Sequence, residues 1–253
     1  MNKFKVRKLL QTVFFGFWLL ILLLIYKGSI STTHEWCPYS AICFGPMLTQ
    51  GYGAYLISAI IGLVVTLAVI FIGRKFCGYL CFIGTIEEYI YKLNPQSKKR
   101  NRKRLPKALH KFLSLGKYLT FAITVVSAVF LFQYGYMKFC PIINLGFPTV
   151  MGIAGAISLA TIFIGGFFIE RFWCNYLCPY AAMMNITQFV GRVFRIKRHK
   201  IMRNMEVCID CHLCNKNCPM GIDILENEKI ESENCIHCLR CLKVCPKDRC
   251  LTC

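Results

Sequence analysis

Eight cysteines near the end of the chain fall into two sets with the same spacing. The second set repeats the first at an offset of 27 residues: Cys208, Cys211, Cys214, Cys218, then Cys235, Cys238, Cys241, Cys245. Both sets read C-x2-C-x2-C-x3-C-P. Thiolates are soft ligands, and four of them hold one [4Fe–4S] cluster. The spacing therefore predicts two such clusters in a small domain that bound metal helps to hold together.

Three other uses of these cysteines fit the pattern less well. Structural zinc sites usually take two separated C-x2-C pairs. Disulfides do not persist in a reducing cytoplasm. The run from Cys208 to His212 matches the C-x-x-C-H attachment of c-type haem, but that use leaves Cys214 and Cys218 without a role. Cys250 and Cys253 follow the second set, and we interpret them as unligated thiols.

Upstream of this tail, long stretches of the chain lack charge. Four uncharged apolar runs are found: Leu9–Tyr26, Ala54–Ile72, Tyr118–Tyr134 and Thr149–Ile169. A helix rises about 1.5 Å per residue, so each run is long enough to cross a hydrocarbon core of roughly 30 Å. The sequence thus predicts four transmembrane helices, the first of them retained rather than cleaved as a signal peptide.

The basic residues predict the orientation of these helices. Of the 31 Lys and Arg residues, 25 precede Glu206, against four acidic residues. They cluster before the first run, between residues 92 and 111, and between residues 192 and 203. Basic loops face the cytoplasm, so both termini are expected there, in a multi-pass protein of the cytoplasmic membrane. Basic cytoplasmic loops and their attraction to anionic lipid are enough to explain the +19 net charge. We therefore predict no nucleic-acid partner.

The membrane part contains a duplication of its own. Arg74-Lys75-Phe76-Cys77-Gly78-Tyr79-Leu80-Cys81 matches Arg171-Phe172-Trp173-Cys174-Asn175-Tyr176-Leu177-Cys178 at an offset of 97. A Cys-Pro pair precedes each motif in a predicted outer link, at Cys37 and at Cys140. The repeat predicts two similar helical hairpins.

The cysteines of this duplicated motif form a second candidate site: Cys77, Cys81, Cys174 and Cys178. Residues four apart share one face of a helix, so each pair is expected to point together and the two pairs to converge at the cytoplasmic end. The alternatives are a further iron–sulfur centre, a redox-active dithiol, or small side chains that pack where helices meet. The roles of Cys37, Cys43, Cys140, Cys250 and Cys253 are left open by the sequence.

Other redox cofactors have no recognisable site. None of the five histidines lies inside a predicted span, which argues against a buried haem. The sequence has no Gly-rich dinucleotide fingerprint and no Walker motif, so neither a flavin nor a nucleotide site is predicted. Candidates for a quinone site are polar residues beside the spans: His34, Glu35 and Trp36, or Glu87, Glu88 and Tyr89.

The fold class follows from these segments. We predict an all-α membrane domain, with four transmembrane helices in two repeated hairpins, followed by a small α+β domain that resembles a two-cluster ferredoxin. Four segments are expected: residues 1–93 as the first membrane repeat, 94–117 as a basic linker, 118–204 as the second repeat with a basic juxtamembrane segment, and 205–253 as the ferredoxin domain.

The chain as a whole resembles a known family. Duplicated Cys-Pro and Cys-x3-Cys motifs before a two-cluster ferredoxin resemble the NapH-type membrane ferredoxins and the C-terminal half of NosR-type proteins. In bacterial two-cluster ferredoxins the cysteine before proline reaches the other cluster. That resemblance implies a first cluster on Cys208, Cys211, Cys214 and Cys245, and a second on Cys235, Cys238, Cys241 and Cys218. The chain departs from the family at Cys81-Phe82, where Cys-Pro is common.

The resemblance also implies a function. The expected function is that of an integral-membrane protein that passes single electrons through [4Fe–4S] clusters, between a quinol or outer redox partner and cytoplasmic partners. The expected partners are the lipid bilayer, other redox subunits, quinol and a soluble cytoplasmic electron carrier. Whether the chain is an enzyme is left uncertain, with an electron-transfer subunit of a quinol dehydrogenase complex as one form. The alternative function is an iron–sulfur sensor or a metallocentre assembly factor.

Overall fold

A computed structural model gives the architecture of most of the chain. It describes residues 3–27, 56–99, 105–130, 139–146, 152–196, 200–226, 228–247 and 249–252. Several residues singled out above lie outside these ranges: Cys37, Cys43, Cys253, His34, Glu35 and Trp36.

In the first membrane repeat, two long apolar helices are followed by two shorter ones. They are α1 (Lys3–Tyr26), α2 (Leu56–Ile72), α3 (Lys75–Tyr79) and α4 (Phe82–Leu93). The first two carry exposed Leu, Ile, Val and Phe side chains along their length. Helix α4 differs because it buries one face, including Phe82, Ile83 and two glutamates. A short 3-10 turn, Pro95–Lys98, follows α4.

The described part of the second repeat follows the same order with two further short helices. Its helices are α5 (Lys107–Leu113), α6 (Gly116–Val129), α7 (Pro141–Gly146), α8 (Ile153–Phe168), α9 (Phe172–Tyr176) and α10 (Pro179–Val193). Helix α8 contains a π-helical stretch, Thr161–Gly165. The apolar helical segment that includes α5 and α6 starts at Lys107, eleven residues before the predicted span, because the link residues around His110 are also helical.

Two described helical segments are long and apolar enough to cross a membrane, namely Lys3–Tyr26 and Lys107–Val129. Only 17% and 11% of their most apolar windows are buried inside the protein, whereas the core helix of a soluble protein is mostly buried. Two shorter apolar helices cover Ala59–Ile72 and Ile153–Phe168. The chain is therefore mostly helical, with two candidate spans.

The C-terminal part, here called the head, is a ferredoxin-like α+β domain. It contains strands β1 (Ile201–Arg203), β2 (Lys229–Ile230) and β3 (Leu251–Thr252), and helices α11 (Leu213–Lys216) and α12 (Arg240–Val244). The antiparallel sheet has the order β2-β1-β3, with Ile201 opposite Ile230. Strand β1 precedes residue 205, so part of the basic juxtamembrane segment belongs to the sheet of the head.

The head packs directly on the duplicated Cys-x3-Cys motifs of the membrane part. One apolar core joins the two, with four residues from the membrane part and three from the head: Val69, Cys77, Tyr180, Met184, Met220, Ile236 and Cys238. Asn175 Nδ2 also donates a hydrogen bond to the carbonyl oxygen of Pro219 at 3.0 Å. The thiols of the two parts are thus held in one packed unit.

Candidate iron–sulfur centres

The first cavity of the head lies between the start of the first cysteine set and the end of the second. It has a volume of about 350 Å³, and its lining includes five cysteines: Cys208, Cys211, Cys214, Cys245 and Cys250. Burial raises the pKa of the Cys214 thiol to about 11. The first four of these cysteines are the ligand set that the ferredoxin resemblance implies.

The second cavity of the head takes the other four cysteines. It has a volume of about 370 Å³ and is lined by Cys218, Cys235, Cys238 and Cys241 together with Ile, Leu and Met side chains. In each cavity, therefore, the cysteine that precedes proline joins the three thiols of the other set. Four sulfur donors around an apolar hollow match the ligands of a [4Fe–4S] cluster, so the residues present fit two such clusters.

Repeated backbone turns bring these thiols together. Asp210 and His212 in the first set, and His237 and Leu239 in the second, all have φ between 48° and 58°. This left-handed conformation is uncommon for residues other than glycine. It occurs at equivalent positions of both sets, on either side of the second cysteine. The sequence has no glycine there, so these turns were not foreseen.

The two Cys-x3-Cys pairs of the membrane part do not lie on continuous helices, and the prediction of a shared helix face was wrong. Cys77 lies in α3 and Cys174 in α9, whereas Cys81 and Cys178 are the N-cap residues of α4 and α10. Proline disfavours the helical conformation in the residue before it, which explains the break before Pro179. Cys81 has nearly the same dihedral angles as Cys178 (φ −67° and −69°) without a following proline.

A third cavity lies at these breaks. Its volume is about 680 Å³, and four cysteines are among its lining residues: Cys81, Cys140, Cys174 and Cys178. Apart from these thiols and the Tyr180 hydroxyl, its lining is apolar, and it includes Trp18 and Trp173. The sequence left the depth and role of Cys140 open, and the structure brings it beside the duplicated Cys-x3-Cys motifs, here called the inner motifs.

Hydrogen bonds and packing contacts hold Cys140 beside the inner motifs. Its carbonyl oxygen accepts hydrogen bonds from the backbone N–H and the side-chain Nδ2 of Asn144, at 3.2 and 2.8 Å. The Asn144 side chain lies so close to Gly155 of α8 that a Cβ there would overlap it. Ile142, next along α7, packs against the core that contains Phe82 and Trp173. Helix α7 is thus pressed between α8 and the inner motifs.

Cys77, by contrast, does not line the third cavity. Its Sγ lies 3.5 Å from Met184 Sδ, and it belongs to the core that contains Cys238 of the head. Cys77 therefore occupies the boundary between the third cavity and the second cavity of the head.

Glu87 positions Cys174 from the other repeat. Its carboxylate accepts hydrogen bonds from the backbone N–H groups of Trp173 at 2.5 Å and Cys174 at 3.4 Å. These groups lie in the first turn of α9, where N–H groups lack partners within the helix. Burial raises the pKa of Glu87 to about 7, and the hydrogen bond from Trp173, which lowers this pKa, offsets only part of that effect.

Glu88 is the centre of a buried ion cluster. Its carboxylate is held by five side chains, with distances of 2.6 to 3.2 Å for the closest atom of each: Lys8, Arg7, Gln11, Arg240 and Arg171. Burial opposes ionisation of Glu88, but Arg171 and Arg7 outweigh it and hold its pKa well below the usual value. Glu88, a candidate for a quinone site in the sequence, is therefore buried and ion-paired within the protein.

A second set of buried polar groups joins the head to the membrane part. Arg74 and Lys117 are 0% and 2% exposed. The side-chain oxygen of Asn234 accepts hydrogen bonds from Lys117 Nζ at 2.7 Å, from Asn185 Nδ2 at 2.9 Å and from Arg74 at 3.4 Å. Arg74 Nε and Nη2 have no hydrogen-bond partner among the described residues. Positive charge is thus concentrated beside the thiols.

A further cleft lies between α5, the end of α8 and the head. His110 Nδ1 and the Tyr176 hydroxyl are 2.7 Å apart in its wall, and Cys218, Glu170 and Asn175 also line it. No feature of the sequence singled out His110 or Tyr176. The signal that could have found them is position, since Tyr176 lies between the two cysteines of the inner motif.

The described residues contain no group of three or more His, Cys, Asp or Glu side chains close enough to hold a single metal ion, in the head or in the membrane part. None of the fourteen cysteines within those ranges forms a disulfide.

Comparison with known proteins identifies two kinds of domain. A 4Fe-4S binding domain matches residues 54–104 and again 151–200. A 4Fe-4S dicluster domain matches residues 200–246. The first type corresponds to the two membrane repeats and the second to the head, so the chain contains iron–sulfur binding domains along most of its length.

Relatives exist in archaea and bacteria. An uncharacterized protein of Methanocaldococcus jannaschii, MJ0750, is 28% identical over 98% of this chain and 95% of its own length. The putative electron transport protein YccM of Escherichia coli is 34% identical over 71% of this chain, which spans half of that relative. The ferredoxin-type protein NapH of Escherichia coli is 24% identical over 69% of this chain and 60% of its own length. No solved structure matches.

The chain is therefore similar to ferredoxin-type and electron-transport proteins such as NapH and YccM, and it contains two kinds of 4Fe–4S binding domain.

Proposed function

We propose that the chain is an integral-membrane electron-transfer protein that passes single electrons between a membrane-side partner, such as quinol, and cytoplasmic redox partners. The observation that carries this proposal is the packing of Cys77 and Cys238 in one apolar core. The membrane motif and the second thiol set of the head are therefore neighbours, without a solvent-filled gap between them.

The eight cysteines of the head are proposed to hold two [4Fe–4S] clusters in the crossed arrangement. Each such cluster, when bound, accepts and releases one electron. The protein's own contribution is to bury the thiols and to surround them with apolar side chains. Arg240 and Arg171 add positive charge beside Cys238, and charge near a cluster is one of the factors that set its reduction potential.

The topology is proposed to be four spans, with both termini and the head in the cytoplasm. Two features support the two shorter helices as spans. Each exposes several large apolar side chains, among them Leu63 and Leu67 on α2 and Ile157 and Ile164 on α8. Each also leads directly into an inner motif that contacts the head. Contiguous exposed apolar surface of this kind marks a membrane or protein interface.

The cleft beside Cys218 is the proposed entry point for a small redox partner. Its His110–Tyr176 pair is a hydrogen-bonded donor and acceptor within reach of a bound molecule. A quinol must release protons as it releases electrons, and a His–Tyr pair is suited to accept them. A soluble carrier would instead meet the exposed outer side of the head near Cys211, which is exposed to solvent.

The experiment is stopped-flow reduction of the anaerobically purified full chain in detergent. A quinol analogue or a reduced soluble ferredoxin is mixed with the oxidised protein, and bleaching of the iron–sulfur absorbance is followed. Repeated, fast turnover with an added acceptor supports electron transfer. A slow response that stops after one turnover supports a sensor or assembly factor, and protein without iron contradicts both.

A further inference from the structure

The duplication of the inner motifs extends to a pair of buried arginines. Arg74 and Arg171 are 97 residues apart, at the same position of the two motifs, and both are 0% exposed. Arg171 Nη2 donates a hydrogen bond to Glu88 of α4 at 3.2 Å, and Arg74 Nη1 donates one to Asn185 of α10 at 3.0 Å. Glu88 and Asn185 are also 97 residues apart. The two contacts are therefore equivalent, except that an amide stands where the first repeat has a carboxylate.

This exchange leaves positive charge uncompensated around Arg74. Lys117 Nζ and Arg74 Nη1 both donate hydrogen bonds to the side-chain oxygen of Asn234, at 2.7 and 3.4 Å, and this partner is neutral too. Glu233 precedes Asn234, but its carboxylate forms an ion pair with Arg192 at 2.7 Å. Among the residues that the structure describes, neither Arg74 nor Lys117 forms an ion pair. Two buried cations thus lack an anion, which is costly inside a protein.

These cations lie against the part of the head that carries the second cysteine set. Asn234, which both of them contact, immediately precedes Cys235, and Cys235 lines the second cavity of the head. Gly73, next to Arg74, is so close to the head that a Cβ there would lie 2.8 Å from Cε1 of His237, in the same cysteine set. The uncompensated charge is therefore beside the second cavity of the head.

We propose that Arg74, Lys117 and Asn185 raise the reduction potential of the second head cluster, because together they keep uncompensated positive charge beside it. That cluster is the one whose proposed ligands are Cys218, Cys235, Cys238 and Cys241. Four thiolates make the bound cluster anionic and reduction adds one more negative charge, so nearby positive charge favours the reduced state. The inference rests on the proposed function and deepens it, since it names the groups that favour electron entry where the head meets the membrane part.

Asn185→Asp tests this proposal with an almost unchanged side-chain shape. A carboxylate at position 185 would pair with Arg74 as Glu88 pairs with Arg171, and so cancel the charge that the wild type leaves free. Reduction of the second head cluster should become about tenfold less favourable, which is a shift of about −59 mV for one electron. The potential is measured by redox titration of the full-length protein in detergent with EPR detection, and the signal that Cys218→Ser perturbs identifies the second head cluster. The signal of the first head cluster should titrate at its wild-type potential.

Asn204→Asp is the matched control, because it makes the same chemical change at an exposed residue. Asn204 accepts a hydrogen bond from the backbone N–H of Glu206 at the surface of the head. Water and salt screen a charge at the surface, so the second head cluster should keep its wild-type potential. A shift of the same size in Asn185→Asp and Asn204→Asp would mean that the potential responds to net charge alone, and would overturn the proposal.

Lys117→Gln covers the case in which Asn185→Asp does not fold. The amide can keep a hydrogen bond to Asn234 but removes one of the two buried charges, so the potential of the second head cluster should again fall. Lys117→Arg keeps the charge and should keep the wild-type potential, which separates the effect of charge from that of packing.

Three further results would overturn the proposal. They are a wild-type potential in both Asn185→Asp and Lys117→Gln, an equal shift of both head clusters, and a fall in Lys117→Arg as large as that in Lys117→Gln. Wild-type protein without iron would instead refute the proposed function, so the two failures are distinguishable.

Discussion

Glu88 is the residue on which the largest number of buried charges depends. Arg7, Lys8, Arg171 and Arg240 all form ion pairs with its carboxylate. These four come from α1, from the inner motif of the second repeat and from the head. Removing one partner of a buried ion pair leaves the others as uncompensated charges, which is far more costly than losing a surface pair.

Glu88→Gln is therefore expected to destabilise the protein by roughly 3–5 kcal/mol, the range for breaking a buried pair. Thermal unfolding in detergent measures this as a lower melting temperature. Glu226→Gln is the control, because Glu226 is exposed and pairs with the exposed Lys107. Equal melting temperatures for the two variants would contradict a central role for Glu88.

The depressed pKa of Glu88 gives this cluster a pH dependence. The folded-state pKa lies well below the ordinary value for a glutamate, so the carboxylate contributes stability above the unfolded-state pKa. That contribution is lost as the pH falls through the folded-state value. The stability difference between wild type and Glu88→Gln should therefore be constant near neutral pH and shrink below pH ~4.5. A difference that grows on acidification would contradict this.

The crossed arrangement in the head makes a prediction for single cysteines. Cys218→Ser changes a residue of the first set, yet it should perturb the cluster held by Cys235, Cys238 and Cys241. Cys250→Ser, at a buried thiol beside the first cavity, should leave both head clusters in place. EPR of the reduced variants separates the two clusters, and loss of the first cluster in Cys218→Ser would contradict the crossing.

Among the elements, the helix breaks at the inner motifs matter most. The duplicated sequence predicted that two motifs would meet, and they do. It did not predict that each pair straddles a break, because the first motif lacks the proline that signals one. Phe82 begins α4 in place of a proline, and its ring packs against Phe15 and Trp18 of α1. Tertiary packing therefore sets the same backbone geometry that Pro179 favours locally.

The contact between α3 and the head leaves no room for a larger side chain at Gly78. A Cβ at this position would overlap the carbonyl oxygen of Ile236. Gly78→Ala should therefore push the head away and cost about 1–3 kcal/mol. Gly16→Ala in α1, where a Cβ meets nothing within 4 Å, should be neutral or stabilising by up to about 1 kcal/mol.

Melting temperatures of the two glycine variants provide one readout, and hydrogen exchange of the head provides another. Faster exchange in the head of Gly78→Ala alone is expected, since only that variant disturbs the docked surface. Unchanged exchange and stability in Gly78→Ala would mean that the head does not rest on α3.

At the scale of the whole molecule, the sequence predicted best what depends on local spacing. The eight head cysteines and the duplicated inner motif are recognisable from spacing alone. The position of Cys140 depends on how the chain folds back between α6 and α8, which no local pattern encodes. The burial of Arg7, Arg74 and Arg171 was not predicted either, because it depends on contacts between distant parts of the chain.

Topology is the remaining prediction at this scale. Reporter fusions after residue 99 and at the C-terminus should report the cytoplasm, because the basic link and the head are proposed to lie there. A fusion in the Lys-poor link between residues 27 and 51 should report the opposite side. An N-terminus and a C-terminus on opposite sides of the membrane would contradict an even number of spans.

The central claim is that the head holds two one-electron centres that pack directly on the membrane part. Coulometric reduction of the purified full-length protein counts the electrons it accepts. The two clusters proposed for the head predict about two electrons per chain, and about one for Cys218→Ser. A chain that accepts no electrons over the accessible range of potentials would contradict the claim.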